Sequence, residues 1–289
     1  MNHLDKNRVA MHFSSAAKQY EQHAELQKLV TGRLLSRLDL MKLNPEWVVD
    51  AGSGIGISAR ALRKRYRAAR VLQVDLARAM LVCSRRKSWP WFSGQYYTCA
   101  DAEQLPVSAG RIDLVFSSLM LQWCNDPGRA FAETMRVLRP NGLFLFATLG
   151  PETLRELRES WAGVDKDEHV HSFPDMHLVG DALVRIGMEG VVMESEKITL
   201  TYPDSRRLMR DLKALGANNA LASRHKGLTG RGKLRRVTEA YEKFRTEGLL
   251  PATYEIIYGH AWAPQHAHVK PAAHTVFVPV TALQRHGRK

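Results

Sequence analysis

The sequence predicts an α/β protein with a mostly parallel sheet and helices on both of its faces. Strand-like and helix-like patterns alternate from residue 46 to about residue 148, which is the order that parallel strands with crossover helices require. A glycine-rich turn follows the first strand, and acidic or hydroxyl side chains follow later ones. Because ligands of such sheets bind outside the carboxyl ends of the strands, these turns predict a ligand site at one edge.

The elements follow in order along the chain. Residues 5–42 predict helix, because apolar side chains recur there at helical spacing. The first strand is short and apolar and ends at Asp50. Pro127 suits the first turn of a helix. Further strands are predicted at 70–75, from residue 96, at 112–117 and at 143–147, with helices at 58–66, 77–86 and 127–138.

Beyond residue 150 the pattern changes, with helices that are rich in Lys and Arg between two long strand patterns. Strands at 191–201 and 253–262 would complete a sheet of seven strands, with helices at 152–162, 175–186, 205–215 and 228–247. We expect these helices to form a cap over the strand ends. The predicted regions are an N-terminal helical segment over the ligand site (1–45), a ligand-binding core (46–150), cap helices with the completing strands (151–263) and a flexible basic tail (264–289).

The composition excludes several classes of protein. The 289 residues, of which 45% are hydrophobic, suffice for one large domain with a cap. No apolar run reaches the ~18 residues of a membrane span, and the N-terminus has no apolar signal core. Cys83, Cys99 and Cys124 form no disulfide framework or zinc spacing, and the histidines of residues 264–289 are too irregular for a metal site. We expect a cytoplasmic monomer without a metal or a membrane contact.

The formal charge of +13 is concentrated in one region. Residues 204–245 contain twelve Lys and Arg against four Asp and Glu. Such a field attracts nucleic acid, an anionic membrane surface or an acidic protein, although a solvated helix face would also explain it. We call this region the basic cap. Its candidate docking residues are Arg206, Arg207, Arg210, Lys213, Arg224, Lys226, Arg231, Lys233, Arg235 and Arg236.

The turn after the first strand reads Asp50-Ala51-Gly52-Ser53-Gly54-Ile55-Gly56. A dinucleotide site would have the spacing G-x-G-x-x-G and a pyrophosphate at the helix N-terminus. The acidic side chain before the turn would repel a phosphate and attract an amino group, while bare glycine backbone would let a sugar approach closely. The turn therefore favours S-adenosylmethionine; the alternative is a plain strand–turn–helix without a ligand.

Two further acids strengthen this interpretation. Asp75 ends the second strand, twenty-five residues after Asp50, near the ~20-residue offset at which an acid binds ribose hydroxyls. Asp101 follows the third strand and could accept a hydrogen bond from an adenine amino group. Alone, each acid is typical of a solvated strand end or helix cap, but their order after the glycine turn favours a cofactor site. The predicted cofactor residues are Gln27, Asp50, Gly52, Ser53, Gly54, Gly56, Asp75, Leu76, Asp101, Ala102 and Ser117.

The glycine turn, the two acids and residues 113–148 resemble a Rossmann-like class I S-adenosylmethionine-dependent methyltransferase. Over residues 8–263 the chain resembles the malonyl-[acyl-carrier protein] O-methyltransferase family of biotin synthesis. Members commonly have a cysteine and a threonine where this chain has Ser53 and Ile55, a difference that the backbone geometry of the turn should tolerate. The segments that carry the resemblance are 13–27, 117–124, 148–158, 169–173, 211–217 and 258–262.

The resemblance implies transfer of a methyl group from S-adenosylmethionine to the free carboxylate of a malonyl thioester, with S-adenosylhomocysteine as the second product. The ester hides the charge, so that fatty-acid synthesis can elongate the unit toward a pimeloyl chain. An acyl carrier protein is strongly acidic, which would give the basic cap a partner. Carboxyl pKa values lie near ~4, so the nucleophile is already ionised and no general base is needed. Carrier protein and coenzyme A both remain open as the thiol.

Eight side chains are candidates for positioning the substrate. Arg155 and Arg158 could anchor the malonyl carboxylate, although too strong an ion pair would stabilise the ground state. The other six would equally suit a packed core position. The candidates are Tyr20, Gln122, Trp123, Arg155, Arg158, His169, His171 and Phe173.

Three other functions remain open from the sequence. One is methylation of a small acid such as an aconitate, or of a quinone ring. Another is methylation of RNA, which the net charge permits, although no interleaved aromatic and basic motif of the RNA-recognition type is present. The third is a nucleotide-binding scaffold without catalysis. We expect no nucleic-acid partner.

Overall fold

The computed structural model of the protein describes residues 3–88, 94–223 and 230–265. The strands in these ranges are β1 (Trp47–Ala51), β2 (Arg70–Asp75), β3 (Gln95–Cys99), β4 (Ile112–Ser118), β5 (Leu138–Leu149), β6 (Glu189–Tyr202) and β7 (Leu250–Trp262). They form one sheet in the order β3-β2-β1-β4-β5-β7-β6. The first five strands pair in parallel, and β7 runs antiparallel to β5 and β6. The predicted seven-stranded, mostly parallel sheet is confirmed.

The same ranges contain ten α-helices and three short 3-10 helices. The α-helices are α1 (Lys6–Ala16), α2 (Tyr20–His23), α3 (Glu25–Ser36), α4 (Ile57–Arg65), α5 (Arg78–Lys87), α6 (Pro127–Val137), α7 (Arg155–Ala162), α8 (Met176–Arg185), α9 (Ser205–Ala214) and α10 (Arg231–Tyr241). The 3-10 helices are Arg37–Leu40, Leu121–Trp123 and Glu242–Phe244. Within the described ranges, no helix combines the length and the apolar character needed to cross a bilayer.

Alternate side chains of β5 show how the sheet is covered. Leu143 and Leu145 are buried with residues of α3, α4, α7 and α10 on one face, whereas Phe144 and Phe146 are buried with residues of α6 and α8 on the other. This alternation follows from the pleat of a strand, whose successive side chains point to opposite faces. The prediction of helices on both faces of the sheet is confirmed.

The N-terminal segment, predicted as helical over 5–42, forms three separate α-helices followed by a 3-10 helix. After its N-cap at Asp5, α1 runs separately from α2 and α3, and Ala24 breaks the helix with φ −86° and ψ 36°. The Asn125 side chain fixes the start of the segment, since it accepts a hydrogen bond from the Leu4 nitrogen at 2.6 Å and donates to the Leu4 oxygen at 3.1 Å. The breaks let α1 cross the strand ends instead of extending α3.

The order of the strands reverses at β1, which pairs with β2 on one side and β4 on the other. The connections that leave β1 and β4 therefore diverge, and a crevice opens at the carboxyl ends of these strands. The glycine turn follows β1, and the 3-10 helix Leu121–Trp123 follows β4. The fold thus brings the predicted cofactor residues to this edge.

The connection between β6 and β7 carries the basic cap. It contains α9 and α10, and α10 packs against α7. The two strands pair antiparallel along their length and extend the sheet beyond β5, as expected. Two residues of the basic cap, Arg224 and Lys226, lie outside the described residues, as do residues 266–289 of the expected tail.

β5 begins earlier than the sequence predicted. Leu138 already pairs with Ile112, and the register shifts before Leu114. Asn141 has a positive φ of 60°, so residues 139–142, which lie between the predicted helix 127–138 and the predicted strand 143–147, form an irregularity inside the strand. Pairing with β4 draws these residues into the sheet.

Candidate active site

Three glycines of the turn after β1 have a backbone conformation that favours glycine. Gly52, Gly54 and Gly56 have φ values of 74°, 53° and 77°. A Cβ at Gly52 would lie 2.3 Å from the Cγ of Met120, and one at Gly56 would lie 2.0 Å from the Oγ of Ser84. One at Gly54 would meet nothing within 4 Å. The turn therefore presents bare backbone to open space at Gly54.

Asp75, at the end of β2, ties this strand to the glycine turn. Its Oδ2 accepts a hydrogen bond from the Gly54 nitrogen and its Oδ1 accepts one from the Ala77 nitrogen, both at 2.8 Å. Burial raises the pKa of the carboxyl to about 6, against the lowering effect of these two bonds. A carboxylate oxygen can accept more than one hydrogen bond, so this placement fits the predicted role on ribose hydroxyls.

Asp50 lies beneath the turn. It does not line the cavity that lies against the turn, whereas Gly52 and Gly54 do. The residue is 1% exposed. Its Oδ2 accepts a hydrogen bond from the Ser58 Oγ at 2.5 Å, whereas its Oδ1 is buried without a partner among the described residues. Burial raises the pKa of this carboxyl to about 7. A buried acceptor that lacks a donor fits a cofactor with a positive amino group, as S-adenosylmethionine has.

A first cavity of about 90 Å³ lies against this turn. Of the other predicted cofactor residues, Ser53 and Gly56 belong to the turn, Ser117 is buried in β4 without a partner for its Oγ, and Gln27 lines a neighbouring cavity. The carboxyl ends of the strands therefore form one wall of the first cavity. The predicted residues that line the first cavity are Gly52, Gly54, Asp75, Leu76, Asp101 and Ala102.

Four residues of the N-terminal segment, which we call the roof, close the first cavity. The Nζ of Lys6 lies 3.1 Å from the Asp101 Oδ2 and 2.6 Å from the Glu103 Oε1. With the roof in this position, the volume is below the ~300–1,000 Å³ of small-molecule sites. The roof consists of Lys6, Val9, Phe13 and Tyr20.

A second cavity of about 150 Å³ adjoins the first. The two share Phe13, Tyr20, Leu119 and Trp123, which therefore form the boundary between them. Six of the eight substrate-positioning candidates line the second cavity, together with Gln27. The six come from the N-terminal segment, the loop after β4 and the segment before α8. They are Tyr20, Gln122, Trp123, His169, His171 and Phe173.

Trp123 and His171 pack against each other in this wall. The indole of Trp123 contacts Phe13 edge-on at 5.1 Å and His171 at 5.6 Å. The Nε2 of His171 is buried without a partner among the described residues, and burial lowers the pKa of its imidazole. Burial, together with the Asp75 carboxylate, raises the pKa of the Tyr20 phenol. His171 and Tyr20 are therefore neutral hydrogen-bonding groups at about pH 7.

His169 is held from two sides. Its ring stacks on Trp161 at 3.6 Å, and its Nε2 lies 2.8 Å from the Asp165 Oδ1. Lys233 of α10 donates to the same carboxylate at 2.9 Å. Burial alone would raise the pKa of Asp165, but the bonds from Lys233 and His169 outweigh it and lower the pKa to about 2. Asp165, Asp167 and His169 lie close enough together to hold a metal ion. The Lys233 ammonium already pairs with the Asp165 carboxylate in this group.

Arg155 and Arg158 lie outside both cavities. Arg155 forms an ion pair with Glu152 at 3.2 Å. Arg158 donates to the backbone oxygens of Pro151 and Thr153, each at 2.9 Å. The structure therefore does not bring either predicted cationic anchor to the second cavity.

Several residues of the second cavity were not predicted from the sequence. His23 is one of them, and its Nδ1 lies 3.1 Å from the Oδ1 of Asp211, 188 positions further along the chain. Tyr202 and Tyr254 also line the cavity. Its described lining contains no Lys or Arg, so histidines are the side chains there that can carry a positive charge. A contact between residues as far apart in the chain as His23 and Asp211 leaves no motif in the sequence.

Known proteins share this sequence pattern. The family model described as "Methyltransferase domain" matches residues 49–146. The malonyl-[acyl-carrier protein] O-methyltransferase of Laribacter hongkongensis is 50% identical over 269 residues, which cover 91% of each chain. That of Methylovorus sp. is 49% identical over 267 residues, which cover 91% of this chain and 90% of the relative. The chain belongs to the malonyl-[acyl-carrier protein] O-methyltransferase family.

Membership of the malonyl-[acyl-carrier protein] O-methyltransferase family makes the protein an S-adenosylmethionine-dependent methyltransferase. Solved structures show the same fold at low identity. The protein bound to the Haloferax volcanii Trm112 methyltransferase activator has a TM-score of 0.59 at 18% identity, covering 90% of this chain and 99% of that one. Phosphoethanolamine N-methyltransferase 2 of Haemonchus contortus, in complex with S-adenosylmethionine, has a TM-score of 0.55 at 18% identity, covering 87% and 57%. The predicted class I methyltransferase fold is confirmed.

Proposed function

We propose that the protein methylates the free carboxylate of a malonyl thioester with S-adenosylmethionine, giving the malonyl methyl ester that primes pimeloyl synthesis for biotin. The pair of cavities that meet at Tyr20 and Trp123 carries this proposal. The first has a glycine turn and acidic strand ends, and the second has a largely apolar wall with neutral hydrogen-bonding groups. The names of the relatives support the same substrate.

The chemistry needs orientation more than proton transfer. Gly52, Gly54, Asp75 and Asp101 would hold the cofactor, which when bound supplies an electrophilic methyl group. The malonyl carboxylate is ionised at neutral pH, since carboxyl pKa values lie near ~4, so no side chain has to accept a proton. The residues of the second cavity orient the carboxylate and exclude water. Such orientation contributes up to ~7–11 kcal/mol to lowering a barrier.

Tyr20 and His171 are the groups that we propose as hydrogen-bond donors to the carboxylate. Tyr20 lines both cavities, and the buried Nε2 of His171 has no partner among the described residues. Both are neutral, so they bind the carboxylate without an ion pair strong enough to stabilise the ground state. Gln122, whose Nε2 donates to a backbone oxygen at 2.8 Å, Trp123 and Phe173 complete the wall.

Methyl transfer from radiolabelled S-adenosylmethionine tests the proposed function. Malonyl-acyl carrier protein, malonyl-coenzyme A, free malonate and acetyl-acyl carrier protein are supplied in parallel. We expect base-labile label on the malonyl carrier and none on the acetyl carrier, because only the malonyl group has a free carboxylate. Label on malonate alone would indicate a small-acid methyltransferase. A protein that binds the cofactor and labels no malonyl thioester would overturn the proposal.

We also propose that an acidic acyl carrier protein docks on the basic cap. Arg207, Lys233 and Arg235 are already paired with nearby acids, but five other cations of the cap are exposed and form no ion pair with a described residue. Leu212 and Leu215 of this region line the second cavity, so a docked carrier would lie close to it. The five exposed cations are Arg206, Arg210, Lys213, Arg231 and Arg236.

Charge reversal on α9 tests this surface. The double variant Arg206→Glu, Arg210→Glu should raise the KM for malonyl-acyl carrier protein about tenfold, because charges at the rim of an interface mainly steer encounter. Its KM for malonyl-N-acetylcysteamine, a short thioester without a carrier protein, should stay unchanged. The same reversal at Arg85 and Arg86, exposed on α5, is the matched control. Equal KM values for the carrier in both double variants would contradict docking on the cap.

We propose further that the protein acts as a monomer in the cytoplasm. The three cysteines are free, as is usual in a reducing compartment. Sedimentation of the purified protein tests the monomer, and a dimer at assay concentration would contradict it.

A further inference from the structure

A third cavity, of about 470 Å³, lies beside the second. It is lined by residues of α6, α8 and the segment 168–174, and it shares Gln122, His171 and Phe173 with the second cavity. Its volume falls in the ~300–1,000 Å³ range of small-molecule sites. The proposed reaction takes place on the malonyl end of the substrate, which leaves this larger space without a role.

The wall of the third cavity combines apolar surface with separate polar groups. Leu178, near the start of α8, is 65% exposed, so the cavity reaches the surface there. The polar side chains include Asn125, Thr148 and Ser172. The apolar side chains include Leu121, Phe131, Pro174, Val179 and Ala182.

We propose that the third cavity receives the phosphopantetheine arm to which the malonyl group is attached. This inference rests on the proposed function. The arm is common to acyl carrier protein and coenzyme A, and it consists of a thiol end, two amides, a branched apolar segment and a phosphate. The amides need hydrogen-bond partners when they leave water, and the branched segment needs apolar contacts. The wall offers both.

Two side chains set the direction of the arm. His171 lines the second and third cavities and has a buried, unpartnered Nε2, so it marks the end at which the malonyl group enters. Arg185, in the last turn of α8, lines the third cavity, is exposed and forms no ion pair with a described residue. A guanidinium binds phosphate through parallel hydrogen bonds, so Arg185 marks the phosphate end.

The third cavity is also continuous with the basic cap. Leu221, in the connection between α9 and α10, lines the cavity and pairs with Leu4 in a short bridge. A carrier protein docked on the cap would therefore lie beside the cavity and could insert its arm. Docking of the carrier on the basic cap and insertion of its arm into the third cavity therefore define one path to the substrate carboxylate.

Narrowing the cavity tests the proposal. Ser172→Phe and Ala182→Phe each place a ring in the third cavity, and because Ser172 is exposed, its replacement should leave the fold intact. The KM for malonyl-acyl carrier protein, malonyl-coenzyme A and malonyl-pantetheine should rise about tenfold or more, because the arm meets the ring. Malonyl-N-acetylcysteamine, which lacks most of the arm, should keep its KM and kcat. Val184→Phe, on the same helix and 60% exposed, is the matched control outside the cavity.

Arg185→Ala separates the sources of the arm. It should raise the KM for the carrier protein and coenzyme A substrates and leave that for malonyl-pantetheine, which has no phosphate. A rise for one of the two substrates alone would assign the cavity to that source. Equal losses with the short thioester, or unchanged KM values in Ser172→Phe for every arm-bearing substrate, would overturn the proposal. Failure of the proposed function is seen separately, as a wild-type enzyme that methylates no malonyl thioester.

Discussion

Replacing Asp75 with alanine is expected to weaken the binding of S-adenosylmethionine about 100-fold or more. The carboxylate holds the backbone nitrogens of Gly54 and Ala77 and lines the first cavity. Hydrogen bonds to a charged group contribute ~1.5–3 kcal/mol each, and the variant loses both the ligand contacts and the anchor of the turn. Isothermal titration of wild type and Asp75→Ala with the cofactor measures the effect.

Asp75→Ala should also lose part of the pH dependence of cofactor binding. Burial raises the pKa of the Asp75 carboxyl to about 6, so this group gains a proton as the pH falls from about 7 to about 5. A protonated carboxyl accepts hydrogen bonds from ribose hydroxyls less well than a carboxylate. The affinity of the wild type should therefore fall across this range, and that of Asp75→Ala should fall less.

Asp101→Ala is the matched control for Asp75. The Asp101 carboxylate is already paired with Lys6 at 3.1 Å, so its removal should cost about tenfold in affinity, the equivalent of one ordinary hydrogen bond. If both alanine variants bound the cofactor equally well, the assignment of the ribose contacts to Asp75 would be wrong.

A methyl group at Gly56 is expected to destabilise the fold by about 3–5 kcal/mol. The residue has φ +77°, and its Cβ would lie 2.0 Å from the Ser84 Oγ and 2.9 Å from the Gln73 Oε1. These two side chains are fully buried and hydrogen-bonded to each other at 2.6 Å, so neither can move without breaking that bond. Thermal unfolding of Gly56→Ala should show a Tm lower by about 6–15 °C.

Gly54→Ala separates stability from binding. Its φ of +53° strains an alanine, but a Cβ there meets nothing within 4 Å. The cost should stay near the ~1–2 kcal/mol of a left-handed residue, while the methyl group enters the space beside the first cavity and weakens cofactor binding. A Tm as low as that of Gly56→Ala would contradict the packing argument.

The sheet was predictable because each buried strand is a short apolar run that ends in a recognisable turn. The strand predicted at 112–117 is observed as Ile112–Ser118, and the acid that ends β2 was located from the sequence alone. The start of β5 was not predictable. Asn141 and its neighbours have the composition of a turn, and long-range contacts place them in the sheet: Leu138 pairs with Ile112, and Asn141 and Gly142 exchange backbone hydrogen bonds with Ala263.

Long-range contacts account for the parts of the site that the sequence did not reveal. Lys6 meets Asp101 across 95 residues, and nothing near Lys6 in the sequence predicts this. Arg155 and Arg158 were predicted to anchor the substrate but lie outside the second cavity, and this difference has another cause. α7 buries Glu156, 2% exposed, which accepts a hydrogen bond from Thr253 at 2.5 Å. Hydropathy does not predict a buried carboxylate on this helix, and it is Leu157 of α7, not Arg155 or Arg158, that lines the second cavity.

The shared roof couples the two binding steps. Phe13 and Tyr20 belong to the walls of both cavities, so a movement of the N-terminal segment that reshapes the first cavity also reshapes the second. Binding of the cofactor is therefore expected to change the affinity for the substrate, and binding of the substrate should change the affinity for the cofactor by the same factor.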